Sequence, residues 1–550
     1  MKFDVFESEP NIREYLLALV IIAVVVSIFN YEAVFGLDVF ILDDNSRIID
    51  ALKGNFFNDY FRNMGIGISL LKFLNYKLIL MGGDVARLFY LLVFMIPLSF
   101  ACYIFNRACV KMDFIPSVFI SVMINILPYQ LHIPKFIDGS YSLVGALFLF
   151  ISLIFASIYL DKGRNVNLIL AGFFWIVTNL TFFEMTIFIF PSIVLLFFFR
   201  KSERRNKIIA LSVFTAVILY KIYFITSNDR GPAGSLTIQS LESIVYRFKL
   251  FSKWFAFYDI GDTKMTMLPF ILTCVLLVVV SIILVIKSKN SELIRNTLYA
   301  HLFYLTLGIA TTVPFLTVTK FISARYFYTA NLALWSALIL AFYTVFSRLI
   351  KNKNAVFIAL TMLVLYSGYL RNMNEHNENK GNNRRFALIC NELKTNTDIR
   401  EDSQIVISGT NVGTGEFYVW STGYIQNCLR RPDVTGIIGN EYSFYNPLNP
   451  AERGYSYKMS GMDIEKPLTL MRMNSGKITY GQFLLQWMDS KDKNSEWTVY
   501  RRNNETGLFE KKYAGHGYDE YISMTKENGL DFTEIMWGNP DSKPTRRSFN

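Results

Sequence analysis

Leu37-Asp38-Val39-Phe40-Ile41-Leu42-Asp43-Asp44-Asn45-Ser46-Arg47 follows the first long apolar segment, Tyr15 to Tyr31, and opens the first long polar stretch. Two adjacent carboxylates stand where a helix has just left an apolar slab. Charge is costly at membrane depth, so ionisable groups there default to a functional hypothesis. Read alone, the pair fits a solvated acidic loop equally well. The rest of the chain decides between the two.

Of 550 residues, 52% are hydrophobic, 16% aromatic and only 18% charged, with 49 Phe and 31 Tyr. Apolar runs of roughly 18 residues recur between short polar links, which describes a polytopic α-helical membrane protein. The net charge of +11 is therefore read through loop asymmetry, and nucleic acid is not expected as a partner. The acidic N-terminus and a first run of spanning length point to a retained signal-anchor.

About eleven spans are expected: Tyr15–Tyr31, Leu88–Phe105, Phe114–Leu127, Leu143–Leu160, Leu168–Thr178, Phe182–Phe199, Ile208–Ile225, Leu268–Ile286, Leu298–Leu316, Phe327–Phe346 and Val356–Tyr369. A tight link, Asn179-Leu180-Thr181, is expected between the fifth and sixth. Alternate short links carry Arg107/Lys111, Lys162/Arg164, Arg200 to Lys207, Lys287 to Arg295 and Arg348 to Lys353. The basic set marks the cytoplasmic side, so the N-terminus lies inside. The outer side then holds a first loop over 36–87, a second over 227–266, and the segment after Tyr369. Residues 1–370 are expected to form the membrane module and 371–550 a C-terminal domain on the outer side. Within the second outer loop, Leu241, Ile244, Val245, Phe248, Phe251, Trp254 and Phe255 recur at helical spacing, with Arg247, Lys249 and Lys253 mostly on the other arc. That is the pattern of an interfacial helix, and Phe61 to Leu80 shows a rougher version.

The C-terminal domain reads as mixed α and β. Arg371–Arg385 is a polar linker, Phe386–Leu393 has helical spacing, and Gln404–Ser408 is a β-branched strand. Glycines from Gly409 to Gly439 punctuate turns, and Trp497–Tyr500 with Gly507–Glu510 reads as a closing hairpin. Five cysteines are too few for a disulfide scaffold. Cys102, Cys109 and Cys274 are expected to pack as small apolar residues. Cys390 and Cys428 lie in the outer domain, where one disulfide is allowed but its pairing cannot be read from spacing.

Soluble-enzyme motifs are absent: no phosphate-binding Gly-rich loop, zinc-type Cys/His spacing or nucleophile elbow stands in the chain. The polar residues that remain gather on the expected outer face. They are Asp43 and Asp44; Asp138 in Phe136-Ile137-Asp138-Gly139-Ser140-Tyr141; Glu184 after Thr181-Phe182-Phe183; and Arg325 in Ala324-Arg325-Tyr326-Phe327-Tyr328. Of the four histidines, only His132 falls near them. A carboxylate can act as general base on a hydroxyl, and an Arg at headgroup level can hold a phosphate leaving group. The bland alternatives are a helix–helix hydrogen bond for Glu184 and a snorkelling anchor for Arg325.

These motifs resemble the GT-C superfamily of polyprenyl-phosphate-sugar-dependent glycosyltransferases. More narrowly they are similar to the serotype-converting O-antigen glucosyltransferases (the Gtr type II family). The likeness runs through Leu42-Asp43-Asp44-Asn45-Ser46-Arg47, Arg62-Asn63-Met64-Gly65, the Asp138 and Glu184 motifs and the Arg325-Tyr326 element, covering about the first 350 residues. The family pattern favours Gln where Glu184 stands. The resemblance implies inverting transfer of a sugar, usually glucose, from undecaprenyl phosphate to an O-antigen or other surface polysaccharide at the periplasmic face. It assigns Asp44 or Asp43 as base, the other positioning the acceptor or binding Mg2+ or Mn2+. Arg325 with Arg47 or Arg62 would hold the lipid phosphate, supported by Asp138, Glu184, Tyr326 and His132. Tyr418, Trp420 and Tyr424 would stack on acceptor sugars. The rival readings are an O-antigen polymerase and a lipid-linked-sugar transporter or flippase; no internal repeat of the kind transporters show is present.

Overall fold

The computed structural model describes residues 12–35, 66–125 except 82, 141–227 except 182–184 and 201, 240–255, 263–288, 292–317 and 328–349, four strands beyond residue 403, and scattered single positions. The chain divides into two units, Met1–Leu37 with Phe57–Glu378, and Asp38–Phe56 with Asn379–Asn550.

The first unit is a helical bundle. Its elements are α1 (Ile12–Phe35), α2 (Ile66–Met81), α3 (Gly83–Tyr90), α4 (Ile96–Ile104), α5 (Phe114–Met123), α6 (Tyr141–Lys162), α7 (Asn165–Thr181), α8 (Met185–Phe199), α9 (Arg204–Ser227), α10 (Leu241–Phe255), α11 (Thr263–Ser288), α12 (Glu292–Thr317) and α13 (Tyr328–Leu349). Four helical runs among the described residues are long and apolar enough to cross a membrane: Ile12–Tyr31, Asp84–Cys109, Leu143–Lys162 and Arg204–Tyr223. Shorter apolar helices cover Phe114–Met123, Asn165–Thr181, Thr186–Phe199, Phe270–Ile286, Thr297–Val313 and Thr329–Tyr343. Together these fall on the first ten expected spans. The eleventh, Val356–Tyr369, lies outside the described residues apart from single helical positions.

Burial along α1 shows what surrounds the bundle. Ala18, Ile22, Val26, Asn30 and Val34, each four residues on from the last, are buried, while Leu16, Val20, Val24, Ile28 and Tyr31 are exposed. The i, i+4 spacing puts the buried set on one stripe. A helix that is apolar all round and buried on one stripe only is a helix facing lipid. On α11 the same holds, with Leu277, Val280 and Leu284 inward and Leu272, Val275, Val279 and Ile282 outward.

Lipid tails are as apolar as the helices, so packing and interhelical hydrogen bonds hold such a bundle together. Helix α13 accordingly buries a small-residue stripe, Ala330, Ala333, Ala337 and Ala341. Gly308 of α12 admits Leu334 of α13: a Cβ there would stand 2.6 Å from the Leu334 side chain. Between α7 and α9, Trp175 stacks on Phe214 with ring centroids 5.0 Å apart and donates its indole N–H to the Phe214 carbonyl at 3.1 Å.

Helices α3 and α4 form one run broken by π-helical turns at Leu91–Met95 and Phe105–Cys109. Pro97 has no N–H to donate into the first of these, so the ladder loosens there. Between α6 and α7, Gly163 adopts φ +66° and donates its N–H to the Tyr159 carbonyl at 2.7 Å, a left-handed helix end that glycine adopts without a Cβ penalty.

Two expectations are corrected. Asn179-Leu180-Thr181 is the last turn of α7 and not a link; residues 182–184 lie outside the described residues. Its polar side chains stay helical because Asn179 Nδ2 donates to the Trp175 carbonyl and Thr181 Oγ1 to the Val177 carbonyl, four residues back. Helix α10 forms where amphipathic spacing placed it, but Arg247 is 95% buried by exposure (5% exposed) while Leu241 and Val245 are exposed. Packing decides this: Phe248 and Phe251 meet Phe270 of α11 edge-on, which turns the neighbouring Arg247 inward.

In the second unit a mixed sheet has the order β2-β1-β3-β4, with β1 (Gln404–Ser408), β2 (Thr435–Ile438), β3 (Glu496–Arg502) and β4 (Phe509–His516). Strand β1 is parallel to both β2 and β3, and β3 pairs antiparallel with β4. Strand β1 stands at its expected bounds and β3 contains the expected Trp497–Tyr500, whereas β4 runs to His516, well past the expected Gly507–Glu510. Strand β2 lies in a stretch read as glycine turns, and Gly436 sits within it opposite Ile405.

Candidate functional site

Hydrogen bonds between helices establish which ends lie together in the first unit. At one pole, Glu14 of α1 accepts from Arg107 Nε at 2.5 Å and Nη2 at 3.3 Å, and from the Tyr103 hydroxyl at 3.0 Å. Arg107 also donates to the Met112 carbonyl at 3.0 Å. Beside it the Tyr343 hydroxyl, late in α13, donates to Asp113 at 2.7 Å. Arg200, just past α8, holds Asp161 near the end of α6 through Nε–Oδ1 at 3.1 Å and Nη2–Oδ2 at 2.5 Å, and donates to the Cys109 carbonyl. The Tyr304 hydroxyl of α12 donates to Asn106. This is the Glu14 pole.

At the opposite pole, Arg87 in α3 donates to the Val34 carbonyl in the last turn of α1 at 3.4 Å and to Asp84 at 3.2 Å. The Tyr90 hydroxyl, one turn on, donates to Asn75 of α2. Lys221, late in α9, donates to the Asn179 carbonyl at the end of α7 at 2.7 Å. Two cations thus sit against the carboxyl ends of neighbouring helices, where the helix dipole favours positive charge.

Asp43, Asp44, Arg47, Arg62, His132, Asp138, Glu184, Arg325 and Tyr326 all lie outside the described residues, as do Cys390, Cys428, Tyr418, Trp420 and Tyr424. What the structure places is the helix ends that flank them. Phe35 ends α1 before Asp43 and Asp44, and Tyr141 opens α6 three residues after Asp138. Thr181 ends α7 and Met185 opens α8 on either side of Glu184, while Thr317 ends α12 and Tyr328 opens α13 around Arg325. The bonds above put the ends of α1 and α7 at the Arg87 pole, and they put the far ends of α6, α8 and α13 at the Glu14 pole, so that Tyr141, Met185 and Tyr328 open their helices away from it.

Sequence reading missed Arg87, which is 1% exposed. It used Arg107 and Arg200 only as basic links that mark a side of the membrane, whereas Arg107 is 6% exposed and paired with Glu14. A charged residue at the end of an apolar run looks the same whether it snorkels or pairs inward. Cys102 and Cys109 are buried free thiols and Cys274 is half-buried, as packing residues are. His301 is buried with Nε2 2.9 Å from Ser281 Oγ and 3.3 Å from the Leu277 carbonyl, a helix-joining role. Among the described residues no group of three or more His, Cys, Asp or Glu side chains could hold a metal ion.

No protein-family model matches the chain, and no curated protein matches it. Among solved structures it is similar to ArnT from Cupriavidus metallidurans, a crystal structure bound to undecaprenyl phosphate, at 11% identity over 94% of this chain and 95% of that one, with a TM-score of 0.46. The functional reading that follows rests on this chain's own residues.

Proposed function

We propose that the chain is a membrane glycosyltransferase that moves a sugar from a polyprenyl-phosphate donor to an acceptor hydroxyl on the side of the Arg87 pole. The observation that supports it is positional. The ends of α1 and α7 and the starts of α6, α8 and α13, which flank the stretches with Asp43, Asp44, Asp138, Glu184 and Arg325, lie away from the Glu14 pole. Chemistry confined to one membrane face is what a lipid-phosphate donor requires. A transporter would instead gather polar residues near mid-depth.

In this reading Asp44, or Asp43, takes the proton from the acceptor hydroxyl. The acceptor oxygen attacks the anomeric carbon, the bond from that carbon to the phosphate oxygen breaks, and the lipid phosphate leaves with the electron pair, inverting the centre. Arg325, with Arg47 or Arg62, neutralises the departing phosphate. Asp138, Glu184, Tyr326 and His132 support the site. The second carboxylate orients the acceptor or holds a divalent ion such as Mg2+ or Mn2+. The finer assignment is glucose from undecaprenyl phosphate to an O-antigen or related glycan, at the periplasmic face of a bacterial inner membrane, with 371–550 choosing the acceptor.

The test is transfer of labelled glucose from undecaprenyl-phosphate-glucose to acceptor glycan by full-length protein in membranes. Asp43→Asn, Asp44→Asn and Arg325→Ala are compared at equal expression. One Asn variant should lose about a hundredfold or more in rate, and Arg325→Ala should weaken donor use. Wild-type rates in both Asn variants would remove the acid pair from the reaction. No transfer from any polyprenyl-phosphate sugar would leave the polymerase or flippase readings in its place.

A further inference from the structure

Packing gathers three basic links at one corner of the Glu14 pole. Arg200, just past α8, reaches across 39 residues to Asp161 near the end of α6 and across 91 to the Cys109 carbonyl. Ser202 donates to the Leu160 carbonyl at 2.5 Å, and a Cβ on Gly163 would stand 3.6 Å from Asn206 of α9. Lys207 donates to the Phe198 carbonyl at 3.0 Å, tying the start of α9 to the end of α8. On these links Lys111, Lys162, Arg164, Arg204 and Arg205 are all exposed. The carboxylates described beside them are Asp161, bound by Arg200, Asp113, which accepts from Tyr343, and Glu203. The corner therefore carries a strong excess of positive charge.

Two further features exceed what setting the orientation of the chain requires. Lys111 stands at φ +62°, and Gly163 in the adjoining link at +66°. A left-handed residue after a helix is ordinarily glycine, because a Cβ is disfavoured there; Lys111 holds that place with an exposed cation instead. Next to the basic links, the same helices present an exposed apolar strip. It comprises Val166, Ile169 and Phe173, at i, i+3 and i+7 on one face of α7, with Phe198 near the end of α8 and Ile208 early in α9. A free anion would engage the cations alone. An amphiphile engages both, its phosphate on the basic links and its acyl chains along the strip.

We propose that this corner is a binding site for an anionic phospholipid of the leaflet at the Glu14 pole. The guanidinium forks of Arg164, Arg204 and Arg205 suit phosphate oxygens, and Lys162 and Lys111 add charge at the same level. The bound lipid bridges the α6–α7 and α8–α9 links and stabilises the bundle by mass action. The site lies at the other pole from the proposed sugar transfer and does not depend on it.

The experiment measures lipid retention by the full chain in mild detergent, by native mass spectrometry and by the thermal midpoint, with added phosphatidylglycerol or phosphatidylcholine. Wild type should retain phosphatidylglycerol in preference and gain midpoint from it; equal retention of the two lipids overturns the site. Each cation near an anionic lipid contributes roughly fivefold, so Lys162→Gln/Arg164→Gln/Arg204→Gln/Arg205→Gln should weaken phosphatidylglycerol retention by about a hundredfold or more. Lys77→Gln/Lys249→Gln, which removes charge elsewhere, should retain it as wild type does. Retention by the quadruple variant equal to wild type overturns the site. Lys111→Gly relieves the left-handed lysine, so it should melt no lower than wild type without lipid yet lose about fivefold in retention. Unaltered retention there removes Lys111 from the site. If the quadruple variant fails to insert, the wild-type chain decides. A photoactivatable phosphatidylglycerol should attach to peptides within 160–173 and 198–208, and attachment elsewhere overturns the proposal. Inorganic phosphate that displaces the lipid and raises the midpoint equally well would make the occupant a free anion and overturn it too.

Discussion

Replacing Glu14 with Ala should cost far more stability than its place near the start of the chain suggests. Arg107 presents 6% of its side chain to solvent and Glu14 21%, and two of the guanidinium nitrogens bond the carboxylate, at 2.5 and 3.3 Å. Removing one partner of a buried pair costs roughly 3–5 kcal/mol because the other charge stays buried. With a fifth of Glu14 open to solvent the lower end applies, about 3 kcal/mol, or a shift in the folding equilibrium of about a hundredfold. The internal control is Asp161→Ala. Its partner Arg200 is held with similar geometry, but Asp161 is 44% exposed, so about 1 kcal/mol or less is expected. The assay is reversible denaturation of the full chain in mild detergent, followed by intrinsic fluorescence. The double variant Glu14→Ala/Arg107→Met should recover most of the loss, since it removes the stranded charge with its partner. If Glu14→Ala costs no more than Asp161→Ala, or the double variant is worse than the sum of the singles, burial of this pair is not what joins α1 to the α3–α4 run.

Gly308→Ala should destabilise by about 1–3 kcal/mol, because the new methyl would stand 2.6 Å from Leu334; a companion Leu334→Ala that restores the thermal midpoint would identify the clash as the cause. Trp175→Phe keeps the stack on Phe214 but loses the indole donor to the Phe214 carbonyl, costing about 1–2 kcal/mol in the same denaturation assay. Gly163→Ala should cost about 1–2 kcal/mol from its φ of +66° alone, with Gly163→Asn milder, and equal midpoints for all three residues would contradict the left-handed helix end.

The spans were legible because length and apolar composition are local properties. Ten of the expected runs coincide with helices, and Gln404–Ser408 emerged at its expected bounds. The Asn179–Thr181 break was misplaced because polar residues look like a link until their bonds to carbonyls four residues back are seen. Strand β2 went unread because Gly436 weakens a four-residue edge strand whose partner, β1, lies about thirty residues away. The candidate residues themselves were chosen on local chemistry, and what the structure adds is the common pole of the helix ends around them.

Sequence by itself determined that this is a chain of lipid-facing helices followed by a segment containing β-structure, and it nominated acids and an Arg in the links. It could not say which stripe of an all-apolar helix turns inward, because in lipid every face is equally content. Only the tertiary structure selected Ala18, Ile22, Val26, Asn30 and Val34 as the inner stripe of α1. Only it joined Glu14 to Arg107 across 93 residues and Arg87 to Val34 across 53. Those are charge and carbonyl pairings made where water is scarce, and their partners become visible only once the helices have packed.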